Sequence, residues 1–312
     1  MLGLKSKSLN AAFSALGAKI VSVHVNGVDV IVGPGSDADA LAHDSYTGSV
    51  TGRHAGRITG ARYSLDGQEV ELVANVDGDQ LHGGPRNFCN TVWKSAGVDD
   101  GICFTLHSPD GDQGFPGAMD VSATYRLVDN ILSLDFEATT SKPTVINLTS
   151  HAYWNLAGAG SGLDQEVEMP ADHYLPLQGP KLPTGEIRDV AGTEYDFRKL
   201  RKVGQPYDTC FCLNGTRGTL RKGLTLRDPK SGRVMDVYTT DTSIQFYTAD
   251  HFGPEMPGKY GPLVQHNSIA IEPQNYPDAP NHKNFPSSIL RPGEVYRHRI
   301  EWRFLQGSPS SG

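Results

Sequence analysis

Apolar positions along this chain recur mostly every second residue. Ile20-Val21-Ser22-Val23-His24-Val25, Leu224-Thr225-Leu226-Arg227, Val234-Met235-Asp236-Val237-Tyr238 and Ile244-Gln245-Phe246-Tyr247-Thr248 all alternate in this way. A period of two puts one set of side chains on one face, the signature of half-buried strands. Between such runs stand turn formers: Asn26-Gly27, Asp66-Gly67, Pro109-Asp110-Gly111, Asp129-Asn130 and Pro229-Lys230-Ser231-Gly232. The last of these predicts a hairpin joining 224–227 to 234–238, and the run 244–248 is predicted to complete a β-meander. One short helix fits between Asp37 and His43, and no longer stretch keeps a helical period with caps. No internal repeat or linker interrupts the pattern, so an all-β fold is predicted, a single large antiparallel β-sandwich over residues 1–306. The low-complexity tail 307–312 is expected to be disordered or artificially appended.

Composition acts on this picture by exclusion. Lys+Arg 28 against Asp+Glu 35 gives a net charge of -7, and no basic block is present, which argues against nucleic acid as a partner. No window is apolar enough to span a membrane. The segment from Ser8 mixes polar residues into its apolar run and reads as a strand rather than a signal peptide. Cys89, Cys103, Cys210 and Cys212 show no CxxC spacing, and Cys210 and Cys212 share a strand face. They are expected to be reduced thiols of a cytoplasmic protein.

The densest candidate chemistry lies in Ile146-Asn147-Leu148-Thr149-Ser150-His151-Ala152-Tyr153-Trp154-Asn155-Leu156-Ala157-Gly158. An apolar run there feeds a histidine flanked by aromatics and amides, groups that stack on a pyranose or bond its hydroxyls. Glu272 ends Ser268-Ile269-Ala270-Ile271 on the face opposite Ile269 and Ile271, before a Pro-stiffened polar loop. Taken singly, it also reads as a solvated carboxylate. His82, in Leu81-His82-Gly83-Gly84, is a turn histidine whose glycines allow close approach of a ligand. Arg53 and Arg57 read as surface charge, and Asp208 as a turn former. Gln245 and Tyr247 share a strand face and can line a cleft above Ile244 and Phe246. No phosphate loop, dinucleotide turn, nucleophile elbow or metal-ligand spacing is present, so neither metal nor cofactor is predicted.

Five motifs, in order, resemble the aldose 1-epimerase (galactose mutarotase) family. They are Gly52-Arg53 with Arg57-Ile58 and Leu65-Asp66-Gly67; Leu81-His82-Gly83-Gly84; Gly114-Phe115-Pro116-Gly117 leading to Val121–Tyr125; the Asn147–Gly158 segment; and Ile271-Glu272-Pro273-Gln274 with Pro277-Asp278-Ala279, Asn284-Phe285-Pro286 and Arg291-Pro292-Gly293-Glu294. The resemblance implies a β-supersandwich with a shallow cleft. It implies anomer interconversion of a free aldohexose, with Glu272 as base and His151 as acid. His82 and Arg57 would position the ring and polarise its oxygen, while Asp208, Gln245 and Tyr247 would bind substrate. Glu272 is expected to be ionised at neutral pH, and His151 to be kept charged by nearby carboxylates.

The chain departs from the family pattern at Gly56, where Asn is usual, and at Thr209 and Cys210, where His-Asn is usual. A changed hydroxyl-binding rim and a sugar preference other than galactose or glucose are expected. A monosaccharide is the implied partner, and the protein is expected to act as a monomer or weak homodimer. The alternatives are a catalytically silent sugar sensor on the same fold and a hexose-6-phosphate epimerase, to whose phosphate Arg53, Arg62 and Arg86 would be offered. A glycoside hydrolase would want a second carboxylate beside Glu272.

Overall fold

The computed structural model describes residues 1–43, 46–179 and 181–306; the predicted tail 307–312 lies outside them. Two antiparallel sheets dominate. The larger has nine strands in the order Lys94–Val98, Gly101–Ser108, Met119–Val128, Ile131–Thr140, Tyr296–Gln306, Arg233–Thr239, Arg221–Arg227, Glu166–Glu168, Arg201–Lys202. The smaller has seven, in the order Arg188–Asp189, His173–Leu175, Asp208–Cys212, Ser243–Tyr247, Ile269–Gln274, Tyr153–Trp154, Ile31–Val32. The single α-helix among the described residues is Asp37–His43, where the sequence placed it. None is long and apolar enough to cross a membrane.

Alternation accounts for how the sheets meet. Ile244 and Phe246, Ile269 and Ile271, and Trp154 leave one face of the seven-stranded sheet and join a continuous buried cluster with Met235, Val237, Ile300 and Trp302 of the nine-stranded sheet. The Trp154 and Trp302 rings stand 5.5 Å apart across this interface. Each such fully buried side chain contributes roughly 1.5–3 kcal/mol of transfer free energy, which fixes the strand register.

The hairpin Arg221–Arg227 to Arg233–Thr239 forms as expected, but the meander does not. Ser243–Tyr247 belongs to the opposite sheet, between Asp208–Cys212 and Ile269–Gln274. The second edge of Arg233–Thr239 is taken instead by the last strand, Tyr296–Gln306. The chain thus crosses the core at Thr240-Asp241-Thr242, and Met235 and Ile244 face that core from opposite sides. Alternation specifies faces, not partners, so the sequence pattern was compatible with both topologies.

Arg53 is not a surface charge. Its side chain is 2% exposed, and its guanidinium donates to Ser108 Oγ and to the carbonyls of Ser108, Pro109, Pro116 and Gly117 at 2.7–3.2 Å. Burial pulls its pKa down to about 10, which leaves it charged at neutral pH. Five donors in a fixed planar fork can bind several carbonyls of one loop at once, which an ammonium cannot do.

Candidate active site

The core-averted face of the seven-stranded sheet carries the candidate chemistry, and register arranges it in rows. Asp208 stands opposite Tyr247, Tyr247 opposite Ala270, and Ala270 opposite Tyr153. In the next row Glu272 stands opposite Gln245, and Gln245 opposite Cys210; in the third, Gln274 stands opposite Ser243. Neighbours within a row are about 5 Å apart and successive rows about 7 Å apart. A cleft of about 300 Å³ opens over these rows, the size of a small-ligand site. It is lined by every predicted site residue: Arg57, His82, His151, Asp208, Gln245, Tyr247 and Glu272.

A strand that stops early brings His151 to Glu272. On the Glu272 side Tyr153–Trp154 reaches only Ala270 and Ile269 of the strand Ile269–Gln274. Beyond that point Thr149 takes its place, its hydroxyl donating to the Pro273 carbonyl at 2.7 Å. The following turn sets His151 Nε2 3.5 Å from Glu272 Oε1, with both side chains buried. The His151 ring lies nearly parallel to Tyr153 (5.0 Å) on one pairing and Tyr46 (6.0 Å) on another, with His82 meeting it edge-on at 5.2 Å.

His82 and Arg57 arrive on a separate hairpin, Arg57–Ile58 with Gln80–Leu81. His82 N–H donates to the Gly56 carbonyl (3.0 Å), and Gly56 N–H donates back to His82 Nδ1 (3.2 Å). An imidazole that accepts at Nδ1 carries its proton on Nε2. His82 is therefore a neutral donor, and burial, together with His151 and Arg57, lowers its pKa well below the ordinary value. The two glycines that follow do not open space for a ligand. A Cβ on Gly83 would lie 2.0 Å from the Gly52 carbonyl oxygen, so the glycine serves the packing of its hairpin against the Arg53 segment.

His82, His151 and Glu272 bring one ligand-type atom each within 4.8 Å of one another, a grouping invisible in sequence spacing. The Gly56 hydrogen bond argues against a cation there, because metal binding through His82 Nε2 would need the proton moved to Nδ1 and that bond broken.

On the other side of Glu272, Asp208 accepts from Gln245 Nε2 at 2.6 Å and pairs with Lys181 at 2.6 Å. The Tyr247 hydroxyl is hydrogen-bonded to His251 Nδ1 at 2.8 Å and accepts from the His251 backbone N–H. Asp208 is the first residue of a strand rather than a turn former. Arg62 and Arg86 do not line the cleft, and Arg53 is committed to its loop, so the cations there are Arg57 and Lys181.

Burial reverses the expected charge states. It pushes Glu272 well above the ordinary carboxylate range, with Asp208 adding to the rise. It pulls His151 down to about 3, with His251 adding to the fall. The site therefore shifts Glu272 toward its protonated form and holds His151 neutral. Glu272 Oε2, His151 Nδ1, Arg57 Nη1, the Tyr153 hydroxyl and both polar atoms of the Gln274 amide are buried with no protein partner. Such concentration of unmet hydrogen-bonding capacity in one cleft marks a site for a polar ligand.

Sequence reasoning missed Tyr46, Tyr153, Lys181, His251 and Gln274 as site residues. Tyr153 and Gln274 lie inside segments already singled out, and strand alternation from Glu272 points directly to Gln274. Tyr46, Lys181 and His251 come from loops whose sequence carries no periodic signal.

Residues 2–303 match the family model described as aldose 1-epimerase. The galactose mutarotases of Rattus norvegicus and Homo sapiens are each 36% identical to this chain, over 96% of it and 92% of their own length. The aldose 1-epimerase of Escherichia coli is 33% identical over 84% of the chain and 80% of its own length. Among solved structures, an aldose epimerase homologue from C. elegans superposes with a TM-score of 0.92 at 27% identity, covering 98% of this chain and 99% of the other. Galactose 1-epimerase from Lactobacillus acidophilus gives 0.87 at 26% identity, covering 98% and 94%. Sequence and architecture agree over almost the whole length, and the chain belongs to the aldose 1-epimerase family.

Proposed function

We propose that this protein is an aldose 1-epimerase that interconverts the α and β anomers of a free aldohexose, with Glu272 and His151 as its proton-transfer pair. Glu272 takes the C1 hydroxyl proton while His151 delivers a proton to the ring oxygen, and the C1–O5 bond breaks to give the open-chain aldehyde. Rotation about C1–C2 presents the other aldehyde face. Ring closure returns both protons, so no covalent enzyme intermediate forms. His82 Nε2–H and Arg57 orient the ring and polarise its oxygen. Asp208, Gln245 and Tyr247 hold the sugar from the opposite side.

One observation carries this reading: a buried carboxyl and imidazole 3.5 Å apart in a cleft rich in unpartnered polar atoms. With the cyclic sugar bound, the reacting pair is carboxylate and imidazolium; after ring opening it is carboxylic acid and neutral imidazole. Burial favours the second state, so the sugar must draw the pair into the first before the ring opens. The chemistry requires no metal or cofactor. The four cysteines form no disulfide, which fits a reducing, cytoplasmic setting.

The test is polarimetry of freshly dissolved α-galactose and α-glucose. Wild type is expected to accelerate equilibration, and Glu272→Ala or His151→Ala to lower kcat by ~10²-fold or more while the fold persists. Activity within a few-fold of wild type in either variant refutes the role given to that residue. Measurable sugar binding with no acceleration by wild type would favour the sensor reading.

A further inference from the structure

We infer that Gln274 forms a hydroxyl-binding subsite in the floor of the cleft that helps set which aldose is preferred. The inference rests on the aldose reading and deepens it. Gln274 is 1% exposed and lines the cleft, yet neither its Nε2 nor its Oε1 has a protein partner. A buried polar group left unpaired is costly, so an amide with two such atoms gains substantially from a ligand that satisfies both.

Its neighbours leave it for the ligand. Across the strand pair, Ser243 commits its hydroxyl to the Gln274 backbone carbonyl at 2.8 Å rather than to the side chain. On the cleft side stands Gly56, at φ +77, where a Cβ would lie 2.7 Å from Pro277 Cβ and 3.5 Å from Gln274 Nε2. A longer polar side chain at position 56 would reach the amide, but Pro277 occupies the space that it needs. Three polar groups on the far side of Glu272 are already engaged: Gln245 with Asp208, Asp208 with Lys181, and Tyr247 with His251.

The position also fits. Gln274 shares a strand face with Glu272 and is two residues along, about 7 Å away, within the span of one pyranose whose C1 hydroxyl meets Glu272. A primary amide offers a donor and an acceptor side by side. It matches a sugar hydroxyl, or an adjacent pair, that donates to Oε1 and accepts from Nε2.

The experiment measures anomer equilibration by wild type, Gln274→Met and Gln274→Glu with glucose, galactose and the set of their monodeoxy derivatives at C2, C3, C4 and C6. Methionine keeps the length and shape while removing both polar atoms; glutamate keeps an acceptor and removes the donor. Gln274→Met is expected to raise KM for the parent sugars roughly 10-fold with kcat within about 3-fold, the pattern of lost binding common to ground and transition states. One deoxy sugar, or two lacking adjacent hydroxyls, should be a correspondingly poor substrate for wild type and be indifferent to the substitution. Should the methionine variant fail to fold, the glutamate variant is expected to show the same sugar-selective pattern. An unchanged KM, or an equal loss with every sugar, would overturn the subsite. A wild type that accelerates no sugar at all would overturn the aldose reading itself.

Discussion

A carboxyl and an imidazole that lose water together behave as a pair sharing one proton, and the pH dependence belongs to that pair rather than to either residue. The active species carries one proton, whichever of Glu272 and His151 holds it. At alkaline pH that proton leaves, at a pH set by the raised affinity of buried Glu272, which Asp208 raises further. Removing the Asp208 charge lowers proton affinity in the pair, so the alkaline limb of kcat/KM in Asp208→Asn is expected to move to lower pH. The profile is measured by polarimetry and normalised to its own maximum, because loss of a hydroxyl contact also reduces activity. A limb that stays in place or moves upward would contradict the charge coupling. None of this could be read from residue types: at Glu272 and His151 the sequence suggests ionised groups, and burial reverses both.

At the scale of elements, the site depends on how short strands end and how loops are pinned. Tyr153–Trp154 stops after two residues, and Thr149 and His151 occupy the ground beside Glu272 that a longer strand would have covered. Arg53 does comparable work for the other half of the site, tying the 108–117 loop to the segment that leads into Gly56, Arg57 and the His82 hairpin. Arg53→Met keeps the chain length and leaves four carbonyls without their donor. It is expected to destabilise the fold by about 3 kcal/mol or more, by urea unfolding, and to lower activity even where the protein remains folded. A loss below about 0.5 kcal/mol would return Arg53 to the surface role that its sequence context suggested. That context misled because polar residues around an arginine look alike whether they are solvated or are loops wrapped around its guanidinium.

For the whole molecule, close packing of the two sheets buries histidines that do not all serve the chemistry. His54, with no exposed surface, and His151 are each pulled down to about 3, and His82 and His298 are also lowered, all chiefly by burial. In the unfolded chain each titrates near 6.5, so below that pH the unfolded state binds the extra protons and is favoured. Raised Glu272 acts in the opposite sense, losing stability as pH climbs above the unfolded carboxyl value, but it is one group against four. The urea midpoint is therefore expected to fall from pH 7 to pH 5. His54→Leu, which removes one titrating site that does not line the cleft, should show a shallower fall. A midpoint constant across that range would refute the linkage.

The sequence by itself determined the all-β class, most strand faces, the short helix at 37–43 and, through the collinear resemblance, which side chains meet in the cleft. It could do so because alternation and turn chemistry are local, and both act within a few residues of the positions that carry them. Tertiary structure alone decided that Ser243–Tyr247 crosses to the second sheet, that Arg53 is buried, that Glu272 and His151 prefer their neutral forms, and that the Gln274 amide is left unpaired. Strand partners, desolvation and unmet hydrogen bonds depend on what lies across a core or a cleft, contributed by residues up to hundreds of positions away, and no pattern along the chain encodes that distance.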